Sequence, residues 1–261
     1  GGGARLLQSF ERGIALRENR AGGGFPALRG LRAAKSNHAF WAMAGASEEA
    51  RAPDASHWRG LWNEGRTPWD AGQPHPFFAK YVNDGKVPSG RALVPGCGNP
   101  YDVFLLAEQD AARSVTGADI SDVPILRAKA LAKDKGLDEN RVSFYTSDFF
   151  TLLSNGEKDA HKYDFVYDCK FFCAIPLSMR EAWADTMARV IKPGGQLFTL
   201  MFPVNANKED GPPFRVSPDM YRELLFARGF SERVVERIPE ELCWRGSSVV
   251  STDMYGVFTR N

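Results

Sequence analysis

Three short stretches of this chain carry residue types and spacings suited to holding an adenosine. The apolar run from Arg91 to Val94 breaks at Gly96-Cys97-Gly98 in "RALVPGCGNPYD" and resumes with a helical pattern. A strand, a glycine turn and a helix make up the front half of a nucleotide-binding βαβ unit, in which bare backbone approaches a ligand closely. Asp119, in "VTGADIS", ends the next apolar run, where a carboxylate reaches both hydroxyls of an adenosyl ribose. Asp148-Phe149, in "SFYTSDFF", ends a third, placing an acceptor for an adenine amino group beside a ring that can pack on the base. NAD and S-adenosylmethionine both contain that ribose. Tyr101 stands where a dinucleotide fingerprint has its third glycine, which crowds a pyrophosphate but not the smaller ligand with its zwitterionic methionine tail. The plainer alternatives are that the glycines mark only a tight turn, and that Asp119 and Asp148 only cap the helices after them.

Upstream, "HWRGLWNEGRTPWDAGQPHP" spaces Trp58, Trp62 and Trp69 ahead of the first strand. A sulfonium is a cation that gains from aromatic faces, and a small anion must shed water before it attacks a methyl group. An indole lid serves both needs; a hydrophobic staple onto the core is the alternative. Residues for proton transfer are scarce. His38, His57, His75 and His161 are scattered, and exposed or capping roles are expected for them, with His57 beside Trp58 the one worth mutating. Cys169 and Cys173, one helical turn apart, could share a metal or form a redox pair, but buried thiols are the expected state and no metal site is assigned.

These residues need a parallel sheet to bring them together. From Arg91 onward strand and helix signals alternate, with strands expected at Arg91 to Val94, Ser114 to Asp119, Val142 to Thr146, Tyr163 to Tyr167, Gln196 to Met201, Ser231 to Arg237 and Met254 to Thr259. Asn99 and Pro100 suit the start of one helix. Ser178 to Glu181 forms a capping box opening a second, which carries Met179, Ala182, Trp183, Thr186, Met187 and Val190 on one stripe. Ser217-Pro218 opens a third that Gly229 can close. The last two strands follow each other without a helix, so they must pair antiparallel. The fold class expected is α/β: a mostly parallel seven-stranded sheet with an antiparallel last strand and helices on both faces.

Composition limits the partners. With 33 basic and 32 acidic residues among 261, the net charge of +1 gives no electrostatic reason to capture nucleic acid or an anionic membrane. No apolar run reaches the roughly 18 residues of a membrane span. The four cysteines lack the density of a secreted disulfide scaffold, so a reducing compartment is expected. Residues 1–46 are basic, poor in acids and rich in glycine, and read as a leader without fixed structure, an organelle transit peptide, or a stretch ahead of a natural start at Met43. Residues 47–261 then form one domain. The location expected is the cytoplasm, or a plastid or mitochondrion if the leader is a transit peptide.

The order of these motifs resembles the Rossmann-like class I S-adenosylmethionine-dependent methyltransferases. More narrowly, "HWRGLWNEGRTPWDAGQPHP", "RALVPGCGNPYDV", "GADIS", "YDFVYDCKFFCAI", "WADTMARVIKPGGQLFTLMFP" and "GPPFRVSPDMYRELLFARGF" resemble the thiopurine S-methyltransferase family, most of all its halide and thiol methyltransferase branch. The resemblance implies cofactor contacts at Trp58, Trp62, Trp69, Gly96, Gly98, Asp119, Asp148, Phe149 and Cys169, with Trp58, Cys169 and Phe202 lining the acceptor pocket. It implies transfer of a methyl group to a small anionic nucleophile: halide, bisulfide, thiocyanate or thiol. Such acceptors need positioning and desolvation rather than a dedicated base, so no catalytic residue is assigned. Cys169 and Phe202 depart from the family, which carries an aromatic, often tyrosine, at the first position and tends to tyrosine at the second. The C-terminal "ELCWRGSSVVSTDMYGVFTRN" departs as well. A catalytically silent subunit that binds S-adenosylmethionine is the alternative function, and a nicotinamide oxidoreductase a further one.

Overall fold

The computed structural model describes residues 54–151, 163–204, 211–244 and 253–261. The leader expected over residues 1–46, His38 and His161 lie outside them. Among the described residues a seven-stranded sheet runs in the order β3-β2-β1-β4-β5-β7-β6. Its strands are β1 (Arg91–Pro95), β2 (Ser114–Asp119), β3 (Val142–Thr146), β4 (Tyr163–Cys169), β5 (Ile191–Met201), β6 (Phe230–Arg237) and β7 (Met254–Arg260). The first five in that order pair in parallel, and β7 lies antiparallel between β5 and β6. The reversed strand is therefore the last in sequence but not the edge in space.

β5 begins at Ile191 rather than at Gln196, because Ile191 already pairs with Tyr163 and a register shift absorbs the residues between. Pro193 and the glycines after it, which argue against regular pairing, sit in that irregularity. Gly195 has no room for a side chain, since a Cβ there would lie 2.9 Å from the Tyr163 carbonyl oxygen.

Six helices of eight residues or more cover the described sheet: α1 (Ala55–Asn63), α2 (Pro76–Asn83), α3 (Tyr101–Gln109), α4 (Asp122–Asp134), α5 (Arg180–Val190) and α6 (Pro218–Phe226). Local chemistry explains most of their starts. Asp54 caps α1 by accepting from the Ser56 and His57 amides, and Ser217 caps α6 by accepting from the Met220 amide, as its sequence suggests. Gly229, at φ +76°, turns the chain from α6 into β6. Two expected caps are not formed. Pro100, not Asn99, precedes α3 and makes no side-chain cap, because the Asn99 amide is drawn away to Asp70. A 3-10 turn, Leu177–Met179, leads into α5, so the Ser178 to Glu181 box gives way to Met179 at the cap. The α5 stripe is otherwise as read: Trp183, Thr186, Met187 and Val190 are buried, while Ala182 faces out.

Alternation along the strands supplies two cores. Ala92, Val94, Phe165, Tyr167, Phe198 and Leu200 point to the side covered by α2, α3 and α4; Leu93, Val166, Leu197 and Met201 point to the side covered by α5 and α6. Phe78 of α2 stacks on Tyr167 with ring centroids 3.5 Å apart, and Trp183 of α5 is fully buried on the opposite side. Burying a side chain of that size stabilises by roughly 1.5–3 kcal/mol. Both faces thus hold the strand tips rigidly.

Candidate functional site

The carboxyl ends of β1 to β4 meet at one edge of the sheet, the side on which open α/β sheets bind ligands. At the end of β1, Gly96 and Gly98 take left-handed φ values of +58° and +52°. That conformation favours glycine on its own. Packing adds a second reason: a Cβ on Gly96 would come within 2.7 Å of the Phe171 ring, and one on Gly98 within 3.3 Å of Trp62. Part of the room the glycines leave is taken by the chain's own aromatics.

Asp119 closes β2 beside this turn. Its Oδ2 accepts the Gly98 amide at 3.0 Å and its Oδ1 accepts the Ser121 amide at 2.9 Å. The cap of α4 is Ser121, whose Oγ accepts from Val123, so Asp119 is not spent on capping. Each carboxylate oxygen keeps lone pairs for a further donor. Burial pushes its carboxyl up, and the two backbone bonds pull it part of the way back. At the end of β3, Asp148 Oδ1 accepts the Phe150 amide. Phe149 is buried, its ring edge-on to Phe171 at 5.1 Å, and its neighbour Phe150 is only half-buried.

The tryptophans form a connected roof. Trp58 and Trp62 lie one turn apart on α1, and both meet Trp69 edge to face, at centroid distances of 5.3 and 5.9 Å. Trp62 is buried, while Trp58 and Trp69 are half-exposed. Three polar ties hold the roof down: Arg59 to Asp122 on α4, Asn99 of the glycine turn to Asp70, and Lys170 at the end of β4 to the Trp69 carbonyl at 2.7 Å. Lys170 is, among the described residues, the single non-glycine at positive φ, +61°, and its ammonium also lies 4.3 Å from the Trp244 ring.

At the end of β4, Asp168 is buried and fully engaged, with Oδ1 accepting from the Phe172 amide at 3.1 Å and Oδ2 from the Trp183 indole at 2.9 Å. Burial raises it to about 6. Desolvation likewise pushes the Cys169 and Cys173 thiols up to about 12, so both stay protonated; Cys173 is buried as expected, whereas Cys169 is only half-buried. Cys169 is register partner of Leu200, and Phe202 follows β5 two residues later, so these two pocket candidates occupy adjacent strand tips. Among the described residues no three His, Cys, Asp or Glu side chains converge to hold a metal.

The histidines divide. His57 is exposed, edge-on to Trp58 at 5.4 Å. His75 caps α2 through Nδ1, as a scattered histidine can, but it is buried against Trp244 and lies 3.9 Å from Asp253; burial lowers its pKa. Sequence reasoning missed Lys170 and Asp102. A lone cation inside "YDCKFFCAI" is a signal that could have found the first. Asp102 reads from sequence as an ordinary acid in the first turn of a helix, where the dipole favours it. In the structure its Oδ1 is buried and has no hydrogen-bond partner among the described residues.

The family model of thiopurine S-methyltransferase (TPMT) matches residues 53–246. A probable thiol methyltransferase 2 of Arabidopsis thaliana is 42% identical over 174 residues, covering 66% of this chain and 73% of that protein. A thiocyanate methyltransferase 1 of Brassica oleracea is 36% identical over 188 residues, covering 72% and 79%. Among solved structures, magnesium protoporphyrin IX methyltransferase of Synechocystis PCC 6803 with bound SAM superposes with a TM-score of 0.59 at 20% identity, over 82% of this chain and all of that one, a likeness of fold. The matched residues include the tryptophan roof, the glycine turn and every strand tip described above, and on this ground the chain belongs to the thiopurine S-methyltransferase family.

Proposed function

We propose that this protein is an S-adenosylmethionine-dependent methyltransferase whose acceptor is a small anionic nucleophile: a halide, bisulfide, thiocyanate or a thiol. The observation that carries this reading is Asp119, a carboxylate with both oxygens aimed by backbone amides and with acceptor capacity left over, beside a glycine turn roofed by indoles. These residues fit the cofactor. Asp119 would hold the ribose, Asp148 and the phenylalanines next to it the adenine, and Trp58 and Trp69 would face the sulfonium. When bound, S-adenosylmethionine supplies an electrophilic methyl group that a nucleophile takes in line with the sulfur.

What the chain adds is exclusion of water and placement. The indole roof dries the edge of the sheet, and an anion stripped of water attacks far more readily than a hydrated one. Among the described side chains at the β4 and β5 tips, the Cys169 and Cys173 thiols are held protonated and Asp168 has both carboxylate oxygens engaged, while His75 serves as a cap and His57 is exposed, so none of these is assigned as a base. Acceptors that are already ionised, or ionise near neutral pH, agree with such a site. The thiol and thiocyanate methyltransferases to which the chain is similar support the same class of acceptor.

The test is a screen of iodide, bromide, chloride, thiocyanate, bisulfide and small thiols with S-adenosylmethionine, read as methylated product in headspace gas or solution. Product is expected from at least one of them, and Cys169→Tyr is expected to change the order of preference. S-adenosylhomocysteine binding with no product from any acceptor would leave a silent binder, and no binding would remove the reading altogether.

A further inference from the structure

The order of strands along the edge fixes how an adenosyl ligand must lie. If the adenine sits by Asp148 at β3 and the ribose by Asp119 at β2, the remaining part of the molecule runs the other way, over β1 toward β4, because the sheet order there is β3-β2-β1-β4. That remaining part is an amino acid, with one ammonium and one carboxylate. Besides Asp168, whose oxygens are both engaged, the charged side chains described at this end include Asp102 and Lys170.

Asp102 follows the glycine turn at the start of α3, and its surroundings define where the carboxyl points. It adds to the upward push on Cys97 in the glycine turn and on Tyr167 and Cys169 in β4, while Lys170 draws it down. It sits in the first turn of the helix that leaves the β1 tip, close enough to the end of β4 to act on Cys169 and to feel Lys170. It caps nothing, since Pro100 precedes the helix without a side-chain bond, and Oδ1 is buried without a partner among the described residues. Asp168, also buried, uses both oxygens. Leaving a buried carboxylate oxygen unpaired is costly, and native structures keep such groups where something else completes them. Lys170 does not complete it: its ammonium is held by the Trp69 carbonyl and faces Trp244.

We infer that Asp102 is the receptor for the α-ammonium of the cofactor's methionine tail, and that the Lys170 ammonium favours the tail carboxylate beside it. This rests on the S-adenosylmethionine reading above. The assignment explains the cost: a site that must bind a cation keeps an acceptor dry and unpaired until that cation arrives. It also has a proton signature. Burial raises Asp102 to about 7, so near neutrality the unliganded protein holds it partly protonated; an ammonium partner favours the ionised form, and binding releases a proton. The other titratable or charged groups facing Asp102 are Cys97, Tyr167 and Cys169, all pushed up by burial and neutral through this range, and the Lys170 cation.

Calorimetric titration tests it with two ligands: S-adenosylhomocysteine, which has the tail, and 5′-methylthioadenosine, which lacks it. Asp102→Asn is expected to weaken S-adenosylhomocysteine by about tenfold or more, the loss of a charge-assisted bond, and to leave methylthioadenosine unchanged. The unliganded variant is expected to melt at the same temperature as the wild type or higher, a sign opposite to its effect on binding. In the wild type, S-adenosylhomocysteine affinity should rise from pH 6 to pH 7.5 with proton release in buffers of differing ionisation enthalpy, and neither effect should remain in Asp102→Asn. Unchanged S-adenosylhomocysteine affinity, or equal weakening of both ligands, overturns the assignment. Should the variant not fold, absence of proton release in the wild type overturns it alone. Wild-type protein that binds neither ligand would refute the cofactor reading instead.

Discussion

The two halves of the sheet's carboxyl edge are built in different ways. Over β1, β2 and β3 much of the work is done within a few residues, with left-handed glycines setting the turn, Asp119 accepting from Ser121 and Asp148 accepting from Phe150, and the longer ties there are Gly98 to Asp119 and Asn99 to Asp70. Over β4 it is done across the chain, with Lys170 reaching back to Trp69, Asp168 reaching forward to Trp183, and Asp102 of α3 raising Cys169 electrostatically. On the proposed reading the first half would hold the adenosine of the cofactor. On the same reading the second half would face the methyl acceptor, and Cys169 and Phe202 stand there on adjacent strand tips.

The contrast can be broken most severely at Gly96. Gly96→Ala combines a left-handed φ with a Cβ 2.7 Å from Phe171, and is expected to destabilise the protein by about 2–4 kcal/mol and to abolish measurable cofactor binding, checked by thermal unfolding and titration calorimetry. Asp119→Ala comes next. With two hydroxyl donors deprived of their acceptor, each charge-assisted bond being worth roughly 1.5–3 kcal/mol, S-adenosylhomocysteine affinity should fall at least about tenfold, and an unchanged dissociation constant would refute the ribose role. Lys170→Gly has the smallest expected effect and the most telling sign. Glycine relieves the left-handed strain, worth about 1–2 kcal/mol, while removing the tie to Trp69, so the variant should melt no lower than the wild type yet bind cofactor more weakly. A variant that loses stability and keeps affinity would mean that Lys170 serves the fold rather than the roof.

Much of this was legible before any coordinates. β2 and β3 fall on the expected residues, and Ser217 caps its helix, because burial on both faces writes continuous apolar runs and because capping depends on residues two or three apart. Two of the three misreadings share one cause. Asn99 is a good cap by type, but Asp70, far back in the chain, competes for its side chain. The Ser178 box matches by spacing, yet the chain enters α5 through a 3-10 turn. The early start of β5 depends on Tyr163 of the neighbouring strand. For Asn99 and for β5, a partner distant in sequence decided among local options of similar energy.

By itself the sequence determined the order of strands and helices, the glycine turn, the placing of Asp119 at the end of its strand and the family, since each is set by residue type and spacing along the chain. Only the tertiary structure decided that Asp168 is satisfied and Asp102 Oδ1 is not, that three tryptophans join into one roof, and that a lysine in a left-handed conformation ties Trp69 to the end of β4. The reason is physical: whether a buried polar group has a partner depends on what the fold brings within about 3 Å of it, and no pattern of neighbours along the chain records that distance.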